Sequence, residues 1–271
     1  MNKRNLYSIN EVPWFQQKKY ILSGYLARQT TKQCFTALFC VSNELMNIWT
    51  HVLPFFYFLV LAITDNFSLI PSLGGSFEDN LVFTVYYFGA LVCFATSSVF
   101  HSFSCHMDHK VHCNCLFADL NGIYTTMLCS TALLLYYMLH EHLFFYKLTV
   151  ATALILYLMT VTVFRKTMTS NPNVRNAVFS IIALVCLVPV ACWLFIADKN
   201  ELYLVLPFMT RNFLWFIFAA LLYLYKFPEN ILPGQFDYVG NSHNFWHAIV
   251  AYNIYKWREL GLLLLINNKN K

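Results

Sequence analysis

The chain has 271 residues, of which 58% are hydrophobic and 18% aromatic, while only 11% are charged. Soluble domains carry roughly a quarter charged residues, so this chain cannot cover itself with polar groups in water and reads as an all-α membrane protein. The formal net charge of +5 does not point to nucleic acid, because the basic residues gather at the ends and in short loops.

Residues 1–35 are polar and basic, with Lys3, Arg4, Lys18, Lys19, Arg28 and Lys32, and Pro13 and Gly24 interrupt any long helix. No apolar leader precedes the first span, so residues 1–42 are expected to form a cytosolic tail with a short interfacial helix near 31–40. Apolar segments follow at about 43–64, 79–103, 111–139, 143–164, 174–196, 203–227 and 239–266. Each reaches the roughly 20 residues that a spanning helix needs, which predicts seven transmembrane helices over 43–266 and a short C-terminal tail at 267–271. Polar or turn-forming stretches separate them, among them Asp65-Asn66 through Gly74-Gly75-Ser76, Asn171-Pro172-Asn173 and 228–237. Pro54 and Pro189 fall inside spans and are expected to bend them. The nine cysteines are an odd number and several lie in apolar runs (Cys93, Cys129, Cys186, Cys192), so they read as small buried hydrophobes.

Lysine and arginine in short loops orient the bundle. With the N-terminus inside, the cytosolic face carries the six basic residues of the tail plus Lys110, Arg165, Lys166, Arg175 and Lys226. The outer face has Lys147, Lys199, Lys256, Arg258, Lys269 and Lys271, and its first loop is acidic (Asp65, Glu78, Asp79). The count favours a cytosolic N-terminus and an extracellular or lumenal C-terminus.

Seven spans bring polar residues to one depth. The end of the second span, with Ser97 and His101, lies near the face where the third begins, and Asp119 falls roughly 10 Å into the layer. His243 and His247, four apart, open the last span on one helical face, and Asn43, Asn47 and His51 line one face of the first. Three histidines and a carboxylate in a low-dielectric layer are costly unless paired or metal-bound. Zinc resolves this: His101, His243 and His247 supply three neutral nitrogens, the fourth position stays open for water, and Asp119 and Ser97 orient or deprotonate that water. The alternative is a hydrogen-bonded polar cluster that only packs helices.

The ligand-rich run Cys105-His106-Met107-Asp108-His109-Lys110-Val111-His112-Cys113-Asn114-Cys115 fits no zinc-finger spacing and reads as a polar interfacial loop. Lys256, beside Trp257 and Arg258, reads as an interface anchor, and Arg211 as a snorkelling charge. Arg175 opens the fifth span on the side of the histidines, where it suits an anionic or carbonyl group or lipid phosphate.

Asn47-Ile48-Trp49-Thr50-His51, Ser97 through His101, Asp119-Leu120-Asn121-Gly122-Ile123, and Pro233-Gly234-Gln235-Phe236-Asp237 leading to Ser242-His243 and His247 together resemble the progestin and adipoQ receptor family. Ser23-Gly24-Tyr25 and Arg175-Asn176-Ala177-Val178-Phe179 extend the likeness over nearly the whole chain. The resemblance implies a seven-helix signalling receptor with zinc on His101, His243 and His247, beside Asp119 and Ser97. It also implies a lipid cavity, flanked by Arg175 and Tyr223, holding a fatty acyl or ceramide-like molecule, and a zinc-dependent amidohydrolase (ceramidase-like) activity. Leu120 departs from the tyrosine that the adiponectin-receptor branch places after its aspartate. His101 through His106, Ser42-Asn43-Glu44 and Trp246 resemble the Golgi-resident branch that tethers Raf kinase. The alternative function is therefore a non-catalytic Golgi scaffold holding a cytosolic kinase, with structural zinc. Implied partners are membrane lipid in the bundle, a hormone, adipokine or steroid ligand, and a cytosolic signalling protein at the tail. The implied location is the plasma membrane or the Golgi membrane.

Overall fold

A computed structural model describes residues 6–163 and 165–270. Lys3, Arg4, Lys271 and Phe164, the expected last residue of the fourth span, lie outside the described residues. The helices are α1 (Thr31–Thr36), α2 (Leu45–Thr64), α3 (Ile70–Ser72), α4 (Phe77–Phe103), α5 (His109–Met138), α6 (Leu143–Val163), α7 (Arg165–Ser170), α8 (Pro172–Ile196), α9 (Lys199–Tyr225) and α10 (Ser242–Lys269). Among the described residues seven of these run 20 residues or more, and they follow the seven apolar segments to within a few positions. Five helical stretches are long and apolar enough to cross a membrane: Leu45–Ser72, Phe77–Phe103, Leu143–Thr162, Asn173–Ile196 and Lys199–Tyr225. Helices α5 and α10 are as long, but they carry the polar side chains that the sequence reading assigned to a site. Pro54, Pro189 and Pro207 lie within helices that continue through them.

Backbone contacts divide the chain into two compact units. The first comprises the chain up to Pro54, Phe94–Asp119 and Leu214–Asn253. Its N-terminal segment is folded. Tyr7 and Tyr25 exchange backbone hydrogen bonds (2.9 and 3.1 Å), and Val12, Ile21, Tyr25 and Ala27 form a small core. The Asp237 carboxylate accepts from the amides of Leu22 (2.9 Å) and Ser23 (2.8 Å) and from the Ser23 hydroxyl (2.7 Å). The next residue, Gly24, has φ +82°, and a Cβ there would lie 2.9 Å from the Tyr238 ring, so no other residue fits without strain. Two motifs more than 200 residues apart thus form one clasp. Helix α1 and the 3-10 turn Ala37–Phe39 give a short helical stretch near 31–40, where one was expected, and Thr30 with Gln33 pairs at its start (amide to Oε1, 2.9 Å).

The second unit comprises Phe55–Cys93, Leu120–Phe213 and Ile254–Lys271. Here the expected break at Asp65-Asn66 is corrected. Helix α2 runs on through a π-helical turn, Asp65–Leu69, into α3, and the chain turns only at Gly74 and Gly75. The reason is that Asp65 is buried rather than solvated. Arg258 donates to it from Nε and Nη2, both at 2.6 Å, and the Tyr87 hydroxyl also donates to it. Arg258, counted above among the outer basic residues, is therefore buried and bidentate. Breaking such a pair on one side strands a buried charge. Asp65→Ala is expected to cost about 3–5 kcal/mol, read as a lower thermal unfolding midpoint in detergent, whereas an apolar pair at both positions recovers most of that loss. Elsewhere in this unit Gly89 lets α4 approach Cys129 of α5, where a Cβ would sit 2.6 Å from the cysteine Cβ.

Candidate metal centre

All three expected ligands belong to the first unit. His101 is in the last turn of α4, and His243 and His247 are in the first two turns of α10. The start of α10 is set by Asn241, whose Oδ1 accepts from the amides of His243 and Asn244, both at 3.1 Å. Glu229 adds a carboxylate at the same helix end, accepting from the Ser242 amide (2.7 Å) and the Ser242 hydroxyl.

The three imidazoles offer one nitrogen each, and these nitrogens lie within 4.8 Å of one another. His101 Nε2 and His243 Nε2 are 3.2 Å apart, and the His243 and His247 ring centroids 4.5 Å apart. His101 and His247 are almost fully buried and His243 partly so.

The outer partners fix which nitrogens carry protons. Nδ1 of His101 faces Glu44 Oε2 at 2.9 Å, and an ionised carboxylate only accepts, so that nitrogen holds the hydrogen. Nδ1 of His247 lies 3.0 Å from the backbone oxygen of Asn47 and 3.2 Å from the Thr50 hydroxyl, which itself donates to the Met46 carbonyl (2.7 Å). That nitrogen too must be the donor, which leaves both Nε2 atoms with bare lone pairs. Bare lone pairs gathered out of water repel one another unless a proton or a cation sits among them. Neutral imidazoles whose far nitrogens are held by a carboxylate or a backbone carbonyl are the usual ligands of zinc and related divalent ions, so the residues fit a metal.

The other expected site residues fall as follows. Ser97 is buried one turn before His101 on α4. Asp119 is half-buried on α5 in the same unit and does not join the group of mutually close ligand atoms. The Tyr223 ring lies tilted at 5.5 Å centroid distance from both His243 and Trp246, with the Lys226 ammonium over it at 3.7 Å. Arg175 belongs to the second unit, half-buried in the first turns of α8. His51 stacks on His247 (centroids 3.9 Å, planes 14° apart), and both its ring nitrogens are buried with no hydrogen-bond partner among the described residues.

Sequence reasoning missed Glu44 and Lys18. Glu44 is held between His101, Asn47 Nδ2 (2.8 Å) and Lys18 Nζ (2.5 Å). A carboxylate at the mouth of an apolar span, three residues before Asn47, was a signal that it needed partners. Lys18 carried no such signal, since it is one of several lysines in a polar segment. The run from Cys105 to Cys115 assembles no group of three close ligand atoms among the described residues. His106 instead meets the Thr31 hydroxyl (3.1 Å) and His112 the Ser104 carbonyl (3.1 Å).

An all-helical chain with several long apolar helices and buried, hydrogen-bonded histidines is a multi-pass integral membrane protein. Residues 39–255 match the family described as haemolysin-III related. Progestin and adipoQ receptor family member 3 from Mus musculus is 29% identical over 261 residues, covering 94% of this chain and 84% of that one. ADIPOR-like receptor IZH1 from Eremothecium gossypii is 32% identical over 262 residues, covering 92% and 81%. ADIPOR-like receptor IZH2 from Saccharomyces cerevisiae is 28% identical over 258 residues, covering 92% and 80%. The chain belongs to the haemolysin-III-related, progestin and adipoQ receptor family.

Proposed function

We propose that this protein is a seven-helix, receptor-type membrane protein with a cytosolic N-terminus, that His101, His243 and His247 hold a zinc ion, and that the site hydrolyses a lipid amide of the ceramide class. The observation that carries the reading is the pair of outer hydrogen bonds, Glu44 to His101 and the Asn47 carbonyl to His247, which leave two Nε2 lone pairs bare among three clustered rings. Helices α5 and α10 complete the seven spans, their polar residues being the ones the site uses.

When bound, zinc supplies a Lewis acid that polarises a carbonyl and brings the pKa of water towards about 7. Asp119 would accept the proton of the attacking water and return it to the leaving amine. The Ser97 hydroxyl would donate to the developing oxyanion. Tyr223, beside both His243 and Trp246, would exclude water from that side of the site. Apolar side chains around the site would take the acyl chain.

The test is release of fatty acid from an N-acyl sphingoid amide by the purified protein in lipid nanodiscs. Activity that a strong chelator abolishes and added zinc restores is the expected result. A metal-loaded protein with no amidase activity on that class would leave the non-catalytic scaffold in possession of the data.

A further inference from the structure

The N-terminal segment reaches the metal centre through one chain of contacts. Tyr25 anchors that segment by donating to the Ile21 carbonyl (2.9 Å) and accepting from the Lys18 amide (3.0 Å). Asp237 clasps Leu22 and Ser23 beside it. So held, Lys18 places its ammonium 2.5 Å from Glu44 Oε1, while Oε2 of the same carboxylate takes His101 Nδ1 (2.9 Å) and Asn47 Nδ2 (2.8 Å). Asn47 in turn accepts from Asn244 Nδ2 (2.6 Å), between the two histidines of α10. Every atom of this relay lies in one compact unit.

We propose that Glu44 is a positioning residue for the metal centre and that Lys18 is the counter-charge that sets its strength, so that the N-terminal segment tunes metal affinity. The inference rests on the zinc reading above. Glu44 does two separable things. Its Oε2 keeps the proton of His101 on Nδ1 and so keeps Nε2 available as a ligand. Its negative charge, one imidazole away from the metal, also favours a cation there, and Lys18 offsets that charge. The two substitutions therefore act in opposite directions. Glu44→Gln removes the charge and presents an amide that can donate to Nδ1, which favours the wrong tautomer. Lys18→Met leaves the carboxylate in place, still held by Asn47 and His101, but unbalanced.

The experiment measures zinc affinity of the full-length protein in nanodiscs by competition with a chromogenic chelator, for wild type, Glu44→Gln, Lys18→Met and Lys19→Met. Lys19 is exposed, with its ammonium over the Tyr20 ring, and serves as a control for loss of nearby charge. Glu44→Gln is expected to loosen zinc about 10- to 100-fold, the range usual for residues that orient a ligand. Lys18→Met is expected to tighten it by about three- to tenfold, as for loss of one partly screened like charge, and Lys19→Met to leave it unchanged. Unfolding of the metal-free proteins identifies any variant that is merely damaged, and damage loosens zinc in both. Affinity unchanged in Glu44→Gln, or shifted in the same direction by Glu44→Gln and Lys18→Met, overturns the proposal while leaving the zinc reading intact. A wild type that binds no zinc overturns both.

Discussion

His247→Ala is expected to empty the metal centre. Its ring is buried, its Nδ1 is held by the Asn47 carbonyl and the Thr50 hydroxyl, and its other ring nitrogen belongs to the one triad of close ligand atoms among the described residues. Losing a ligand outright must cost more than the ten- to hundredfold typical of the residues behind it, so zinc affinity is expected to fall by more than about a hundredfold. Alanine also leaves a void beside the stacked His51 ring, and a void destabilises in its own right. His247→Gln fills most of that volume without restoring an imidazole, and it separates the two effects. Both variants are expected to carry no zinc after size-exclusion chromatography, read by elemental analysis, while only the alanine variant loses substantial stability in the metal-free state. If His247→Gln keeps a full complement of zinc, the ligand assignment is wrong.

Asp119→Asn makes the second large difference. Asp119 is not a member of the triad of mutually close ligand atoms, and with the three imidazoles retained the substitution is expected to leave zinc content unchanged. In the proposed reaction it handles the proton both of the attacking water and of the leaving amine, and asparagine can do neither. Positioned general acid–base groups contribute typically about 10²–10⁴-fold, and turnover of a ceramide-type amide is expected to drop by that factor at constant zinc. The scaffold alternative predicts otherwise: zinc, fold and binding of a cytosolic partner all persist, and there is no turnover to lose. Loss of zinc in Asp119→Asn would instead make the aspartate a ligand or a support of one, and would contradict the role proposed for it.

Hydrophobic length made the long helices legible, because a chain this apolar has few other ways to satisfy its backbone. The paired histidines were legible for a similar reason: polar side chains in apolar helices are costly and need a purpose. Three things were hidden. The turn expected at Asp65-Asn66 is helical, because the partner of Asp65, Arg258, lies 193 residues away and local composition says nothing about it. The clasp of Asp237 on Leu22 and Ser23 joins the segments 23–25 and 233–237, and only tertiary structure brings them together. The pairing of Glu44 with Lys18 was hidden most completely. Their role depends on how the N-terminal segment folds back: Glu44, at the mouth of an apolar span, signalled a need for partners, but Lys18 lies in a segment whose composition is that of an ordinary solvated tail.

The central claim is that the three histidines hold zinc, and elemental analysis of the gently purified wild-type protein tests it most directly. The account predicts about one zinc per chain, lost together with His101, His243 or His247. A wild-type protein that carries no zinc, and takes none up when zinc is supplied, would contradict it.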